Sequence, residues 1–305
     1  MVKVLVLSID PYIRGKMRPE HITSYAPAYH LGKPIYGYGI GKVLRSENID
    51  YSKGDYVTSG LMNFAEYWIP TSSDLAEITK FTPEPKLPLS VYLGAAGMPE
   101  PHISDGKFTP TLKRHVNHPG SENLYSPQWI QQGELAKSDG MKVIASVGSD
   151  EKVRQCKEFG ADIAFNYKTE NAEEILAQEG PVDVYWDNVG GSALDAALGN
   201  ASLHARVIMC GFISQYNFQS GFEYKNISNI LFRRIAVHGF LVWEHEAQWY
   251  DRFYIEVPKK LISAELKYTE DISRGLHKCG EAILEVQIGK NNGKKIVIVA
   301  DDEDD

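Results

Sequence analysis

Two short runs, Gly148-Ser149-Asp150-Glu151-Lys152 and Phe165-Asn166-Tyr167-Lys168, carry the side chains best suited to chemistry. Each lies at the end of an apolar, strand-like segment, Lys142 to Val147 and Asp162 to Phe165. Asp150 and Glu151 fall in the first turn of an expected helix, where the helix dipole favours anions. Lys152 in that turn opposes the dipole unless an anion faces it, so it is either a solvated lysine or a phosphate contact. Tyr167 and Lys168 are either ordinary turn residues or a phenol and a second cation on the same edge. In doubly wound sheets an acidic residue near this strand end bonds the ribose of NAD, whereas basic groups accept the extra phosphate of NADP. Taken together the two runs favour NADP.

Two further strand-like segments end in Asp187-Asn188-Val189-Gly190-Gly191 and in Cys210-Gly211-Phe212-Ile213-Ser214-Gln215-Tyr216. Glycines there allow close backbone approach, whether to a ligand or only to a tight turn. Other constellations are weak. His115 and His118 have neither a thiolate nor an acidic partner arranged for zinc, so no metal is expected. No G-x-S-x-G elbow and no C-x-x-C pair occurs, which leaves serine-hydrolase and dithiol chemistry unsupported.

Three zones must position these residues. Met1 to Met98 opens with the β-rich run Val2 to Ile9 and continues in short extended pieces broken by glycines, the pattern of a small β-barrel or sandwich. Gly37, Gly39 and Gly41 are not a phosphate loop, because no helix follows them. From Met141 to about Leu266, strands alternate with helices. Ser149 opens a helix with Val153, Cys156 and Phe159 on one face, Thr169 caps the next, and a third runs through Leu194 and Leu198. Such alternation predicts a parallel α/β sheet covered on both faces. A last helix puts Trp249, Tyr250, Phe253, Tyr254 and Val257 on one stripe, a core face more than a ligand surface. Leu276 to Ala300 reads as helix, turn and strand, returning to the first zone. Between the zones, residues 99–140 hold five of the 15 prolines and no clear periodicity, with only Ile130 to Lys137 helix-like.

Of the 305 residues 43% are hydrophobic and 24% charged, a globular composition that excludes wholesale disorder and fibrous repeats. The net charge of −8 argues against nucleic-acid binding, and five of those charges lie in the tail Asp301 to Asp305, leaving −3 for the rest. No apolar run approaches the ~20 residues that span a bilayer. Three cysteines far apart, with no basic-then-apolar leader, give a reducing, cytoplasmic setting as the expectation.

These strings, together with Leu7-Ser8-Ile9-Asp10-Pro11-Tyr12-Ile13-Arg14 and Gly289-Lys290-Asn291-Asn292-Gly293-Lys294, resemble the zinc-independent medium-chain reductases. The branch they resemble holds the NADPH-dependent alkenal and enone double-bond reductases and the prostaglandin reductases. The resemblance covers residues 1–98 and roughly 135–300. It implies a GroES-like β-barrel domain built from both chain ends (1–98 and 266–300) and a Rossmann doubly wound domain (141–265), with 99–140 irregular and 301–305 an acidic tail. It further implies that Lys152 and Tyr167 hold the 2′-phosphate of NADPH and that Ser149 binds the cofactor. Asn188, Cys210, Gly211, Ser214, Tyr216, Phe240, Leu241, Val242 and Asn291 would line the cofactor, with Tyr12 and Tyr216 flanking the nicotinamide. The implied partner is a small enone or enal; a homodimer is implied by resemblance only.

After Tyr92-Leu93-Gly94-Ala95-Ala96-Gly97-Met98-Pro99 the resemblance stops, and residues 100–134 contain neither an apolar strand nor G-x-G-x-x-G. The first Rossmann strand and its glycine-rich turn are therefore expected to be missing, and the start to lack barrel strands. A shifted reading frame or retained intron would produce such a segment. Three readings stand: an active double-bond reductase, an inactive remnant with impaired cofactor binding, and a quinone reductase on the same scaffold.

Overall fold

The computed structural model describes residues 1–97, 123–127, 136–137, 140–217, 221–241, 244 and 246–302. The chain forms two compact units, one from Met1–Met98 with Thr269–Asp305 and one from Pro99–Tyr268.

In the first unit, alternating β-branched and leucine residues make β1 (Val2–Ser8), in which Val4 and Leu7 are fully buried. Pro11 fixes the entry into the short α1 (Tyr12–Lys16). β2 (Tyr36–Val43), β3 (Tyr56–Asn63), β4 (Tyr67–Trp68) and β5 (Ile78–Phe81) follow.

The second unit contributes β6 (Asn123–Pro127), β7 (Lys142–Val147), α2 (Asp150–Glu158), β8 (Ile163–Asn166), α3 (Ala172–Glu179) and β9 (Val182–Asp187). Then come α4 (Gly191–Gly199), β10 (Ala201–Met209), α5 (Asn229–Phe232), β11 (Ala236–Gly239) and α6 (Glu246–Ile262). The six strands run parallel in the order β11-β10-β9-β6-β7-β8. That order places the reversal of strand order between β6 and β9, the switch point at which open α/β sheets bind dinucleotides. Consecutive residues of one strand feed different cores: Val143 and Ala145 pack with Val184 and Trp186, while Ile144 packs with Tyr185 and Val207. Both faces are covered, as the continuous apolar runs require.

The chain then returns to the first unit as β12 (Glu270–Arg274), α7 (Cys279–Gln287) and β13 (Lys294–Ile298). The sheet order there is β12-β13-β1-β2-β3-β5, with β4 against β1. The strand from the chain start is thus sandwiched between one from its end and β2.

Two expectations are corrected. The central strand is present: Asn123–Pro127 pairs with both β7 and β9 and fills the position read as missing. Its sequence, Asn-Leu-Tyr-Ser-Pro, is polar at three of five places and hides its strand character, since backbone pairing on both edges rather than propensity defines it. The residues that would form the glycine-rich turn, 128–135, and the histidines at 115 and 118 lie outside the described residues, as does most of the helix expected over 130–137. Second, the cap of α3 is Asn171, whose Oδ1 accepts from Glu173 N at 3.0 Å; the Thr169 hydroxyl donates instead to the Asn166 carbonyl at 3.3 Å. Of the α6 stripe, Phe253 and Val257 are buried as a core face demands; the side chains of Trp249 and Tyr250 are outside those described.

Candidate cofactor and proton-donor sites

The carboxyl ends of β7 to β10 bring most of the singled-out residues of the second unit together. Ser149 caps α2, its Oγ accepting from Lys152 N at 3.3 Å, which fixes Lys152 in the first turn beside the strand end. Asn166, at the end of β8, donates from Nδ2 to Asp150 Oδ1 at 2.7 Å and so ties the two strand ends together. Tyr167 N bonds the Val147 carbonyl at 3.1 Å, bringing its ring over the β7 loop. The loop and the phenol are close: a Cβ at Gly148 would stand 3.0 Å from the Tyr167 hydroxyl and 3.3 Å from Lys168 Nζ. Tyr167 is 52% exposed, and partial burial raises its phenol pKa, keeping it a proton donor. Ser149, Lys152, Tyr167 and Lys168 thus stand together at the joined ends of β7 and β8.

The β9 and β10 loops are laced to each other. Asp187 is fully buried, and its Oδ1 accepts from Tyr185 OH at 2.9 Å, Val189 N at 2.9 Å and Gly190 N at 2.8 Å. Among the described residues its Oδ2 has no hydrogen-bond partner, and burial raises the carboxyl pKa above its ordinary value. The Asp187 carbonyl accepts from Cys210 N at 2.8 Å and Gly211 N at 3.1 Å, while Ser214 Oγ donates to the Val189 carbonyl at 2.6 Å. Cys210 is part-buried, and its thiol is pushed up by burial and by Asp187. Tyr216 follows a single 3-10 turn, Ile213–Gln215, and its hydroxyl accepts from Phe212 N at 3.4 Å. Phe240 leans on Trp186 with ring centroids 5.9 Å apart, followed by a part-buried Leu241; Val242 lies outside the described residues.

Tyr12 and Asn291 belong to the first unit. Burial, with Asp10 second, raises the Tyr12 phenol pKa well above its ordinary value, and a backbone hydrogen bond from Tyr38 reaches it. Asn291 Nδ2 donates to the Gly293 carbonyl at 2.8 Å, shaping the turn before β13. Its motif assigns Asp187 no role; the signal for one is an aspartate closing the strand-like run Val182 to Trp186, where a carboxylate needs a reason to be buried.

The strand order and the cationic strand end define a class, a dinucleotide-binding α/β unit joined to a mostly antiparallel β unit. Residues 132–255 match the family model described as "Zinc-binding dehydrogenase", and residues 1–78 match "N-terminal domain of oxidoreductase". The chain is 36% identical to the 2-alkenal reductase (NADP(+)-dependent) of Nicotiana tabacum, over 98% of this chain and 87% of that protein. It is 34% identical to a zinc-type alcohol dehydrogenase-like protein of Schizosaccharomyces pombe, over 99% of this chain and 87% of that one. The crystal structure of CurA from Vibrio vulnificus in complex with NADPH superposes with a TM-score of 0.83 at 26% identity, covering 98% of this chain and 89% of that one. The chain belongs to the medium-chain dehydrogenase/reductase superfamily, with a GroES-like and a Rossmann domain, in the branch of alkenal and enone double-bond reductases. Among the described residues no group of three or more His, Cys, Asp or Glu side chains could hold a metal ion. Nor is any described helix long and apolar enough to cross a membrane.

Proposed function

We propose that the chain uses NADPH to reduce the carbon–carbon double bond of α,β-unsaturated aldehydes or ketones. The observation that carries this reading is the donor set of Ser149, Lys152, Tyr167 and Lys168 at the joined ends of β7 and β8, which suits a 2′-phosphate. Asn188, Cys210, Gly211, Ser214, Phe240, Leu241, Val242 and Asn291 would line the rest of the cofactor. When bound, NADPH supplies a hydride for the substrate β-carbon. The chain's own task is to stabilise the negative charge that develops on the carbonyl oxygen as an enolate. A phenol O–H does this, and one such donor contributes about 3 kcal/mol to lowering the barrier. Tyr12 and Tyr216 are the assigned donors. Each hydroxyl accepts a backbone hydrogen bond, from Tyr38 and Phe212 respectively, which orients the oxygen and is compatible with donation of its own proton. Raised phenol pKa at Tyr12 keeps that proton in place through the working pH range.

The test is to titrate the purified chain with NADPH and NADH by nicotinamide fluorescence, then follow NADPH oxidation with trans-2-hexenal. Saturable, NADPH-selective binding with turnover to the saturated aldehyde supports the reading; a folded chain that binds neither nucleotide is the inactive remnant. Tyr216→Phe is expected to lower kcat several-fold, up to about 100-fold for a full ~3 kcal/mol donor, with NADPH affinity little changed. An unaltered kcat removes Tyr216 from the mechanism.

The same reading places the chain in the cytoplasm, in keeping with its three unpaired thiols, and as a homodimer. Among the described residues β11 is the outer strand of its sheet, and Val237 on it is 42% exposed beside Leu231 at 75% and Phe232 at 65%. An unpaired edge flanked by exposed apolar side chains suits a second copy. Val237→Lys combined with Leu231→Glu is expected to convert dimer to monomer in sedimentation velocity; an unchanged sedimentation coefficient removes this edge as the interface.

A further inference from the structure

Lys16 is 5% exposed, and among the described residues no carboxylate pairs with it. The comparison within the same unit is Lys295, 4% exposed, which is neutralised by Asp271 at 2.8 Å and Glu285 at 2.7 Å. An uncompensated buried ammonium is expensive. What surrounds Lys16 instead is aromatic: Nζ stands 3.4 Å from the ring centroid of Tyr36, 4.6 Å from that of Tyr29 and 6.0 Å from that of Tyr12. The cage is closed by its own bonds. Tyr29 N donates to the Lys16 carbonyl at 2.8 Å, Tyr29 OH donates to the Tyr36 carbonyl at 2.5 Å, and the two rings meet edge to face at 5.3 Å.

The cage leads to the phenol. Tyr12 and Lys16 are one turn apart on α1, so they share a face. Tyr36 opens β2, and the two residues after it touch Tyr12: a Cβ at Gly37 would come within 3.2 Å of the Tyr12 hydroxyl, and the Tyr38 backbone bonds that phenol. Holding the Tyr36 ring therefore holds the strand start against which the Tyr12 oxygen is set. We propose that Lys16 is a positioning residue for Tyr12, its ammonium clamping Tyr12, Tyr29 and Tyr36 so that the phenol is presented in one orientation to the substrate carbonyl. The clamp's catalytic meaning rests on the reading that Tyr12 donates to that carbonyl.

Burial, with Arg18 second, lowers the Lys16 pKa to about 8. The other titratable groups near the cage are the phenols of Tyr12, Tyr29, Tyr36 and Tyr38 and the Asp10 carboxylate, the last held by Lys294 and by Ser8 Oγ at 2.5 Å. On α7, which packs against α1, Glu281 and Glu285 are engaged by Lys278 and Lys295. The clamp thus weakens as pH rises through about 8 and Lys16 loses its proton.

The experiment compares wild type, Lys16→Met, Lys16→Arg and Tyr12→Phe, using trans-2-hexenal, with 3-fluorotyrosine at position 12 read by fluorine NMR. Lys16→Met is expected to lower kcat about tenfold, leave the NADPH KM unchanged, shift or broaden the fluorotyrosine signal, and keep or raise the melting temperature, because a desolvated cation–π clamp is lost together with a buried charge. Lys16→Arg is expected to restore kcat and to abolish the alkaline fall in rate expected of wild type near pH 8. An unmoved fluorotyrosine signal in Lys16→Met, or a melting temperature lowered in both variants without arginine rescue, overturns the proposal. If Tyr12→Phe keeps full kcat while the signal still moves in Lys16→Met, the clamp stands and the donor role of Tyr12 falls.

Discussion

Asp187→Ala is expected to lose about 3 kcal/mol of folding stability, with Asp187→Asn losing little or none. The alanine variant removes one acceptor from three donors at once, including the backbone N–H groups of Val189 and Gly190 in a buried turn. Unmade buried hydrogen bonds cost more than made ones contribute. Asparagine keeps the Oδ1 acceptor and replaces the oxygen that has no partner among the described residues. The pH dependence fixes the sign. Burial raises the Asp187 pKa in the fold above its ordinary value, so its contribution is fully present below that ordinary value and is lost as pH rises through the raised one. Wild type should therefore lose stability across that window, and Asp187→Asn should lack that fall. Urea unfolding across pH measures both; an asparagine variant as unstable as alanine at neutral pH would refute this account of the carboxylate.

The second large effect concerns cofactor choice. Lys152→Ala should raise the NADPH KM by about 10- to 100-fold and leave the NADH KM nearly unchanged, since a charge-assisted phosphate bond contributes about 1.5–3 kcal/mol. Its backbone N–H already serves the Ser149 cap, so the helix start survives loss of the side chain. Tyr167→Phe should act in the same direction and more weakly, as it deletes a neutral donor. Steady-state kinetics with both nucleotides decide this, and equal losses for NADH and NADPH would move the 2′-phosphate elsewhere.

Local chemistry made much of this legible before any coordinates. Ser149 as a cap, the face with Val153, Cys156 and Phe159, and the buried runs of β7 and β9 all follow from spacing, because in each the residue pattern and the tertiary environment agree. The strand at Asn123–Pro127 did not follow, since its pairing comes from β7 and β9, which the segment itself cannot announce. The cap of α3 was misplaced by two residues because Thr169 and Asn171 are both good caps and only the tertiary position of Asn166 decides between them. Lys16 carries no local signal at all: a lysine in a five-residue helix becomes unusual only when Tyr29 and Tyr36, 13 and 20 residues later, close over it.

The pairing of β1 between β13 and β2 also sets an order of assembly. Val6 and Leu7 wait for Ile298 and Val297, which leave the ribosome some 290 residues later. Throughout synthesis the fully buried Val4 and Leu7 are therefore without one of their neighbouring strands, while the middle of the chain already holds every partner its own parallel sheet needs. Loop closure of that length is slow relative to local pairing. The described strands of the parallel sheet are thus close in sequence, whereas the sheet of the unit that carries Tyr12 pairs β1 with β13 only after β13 has been made.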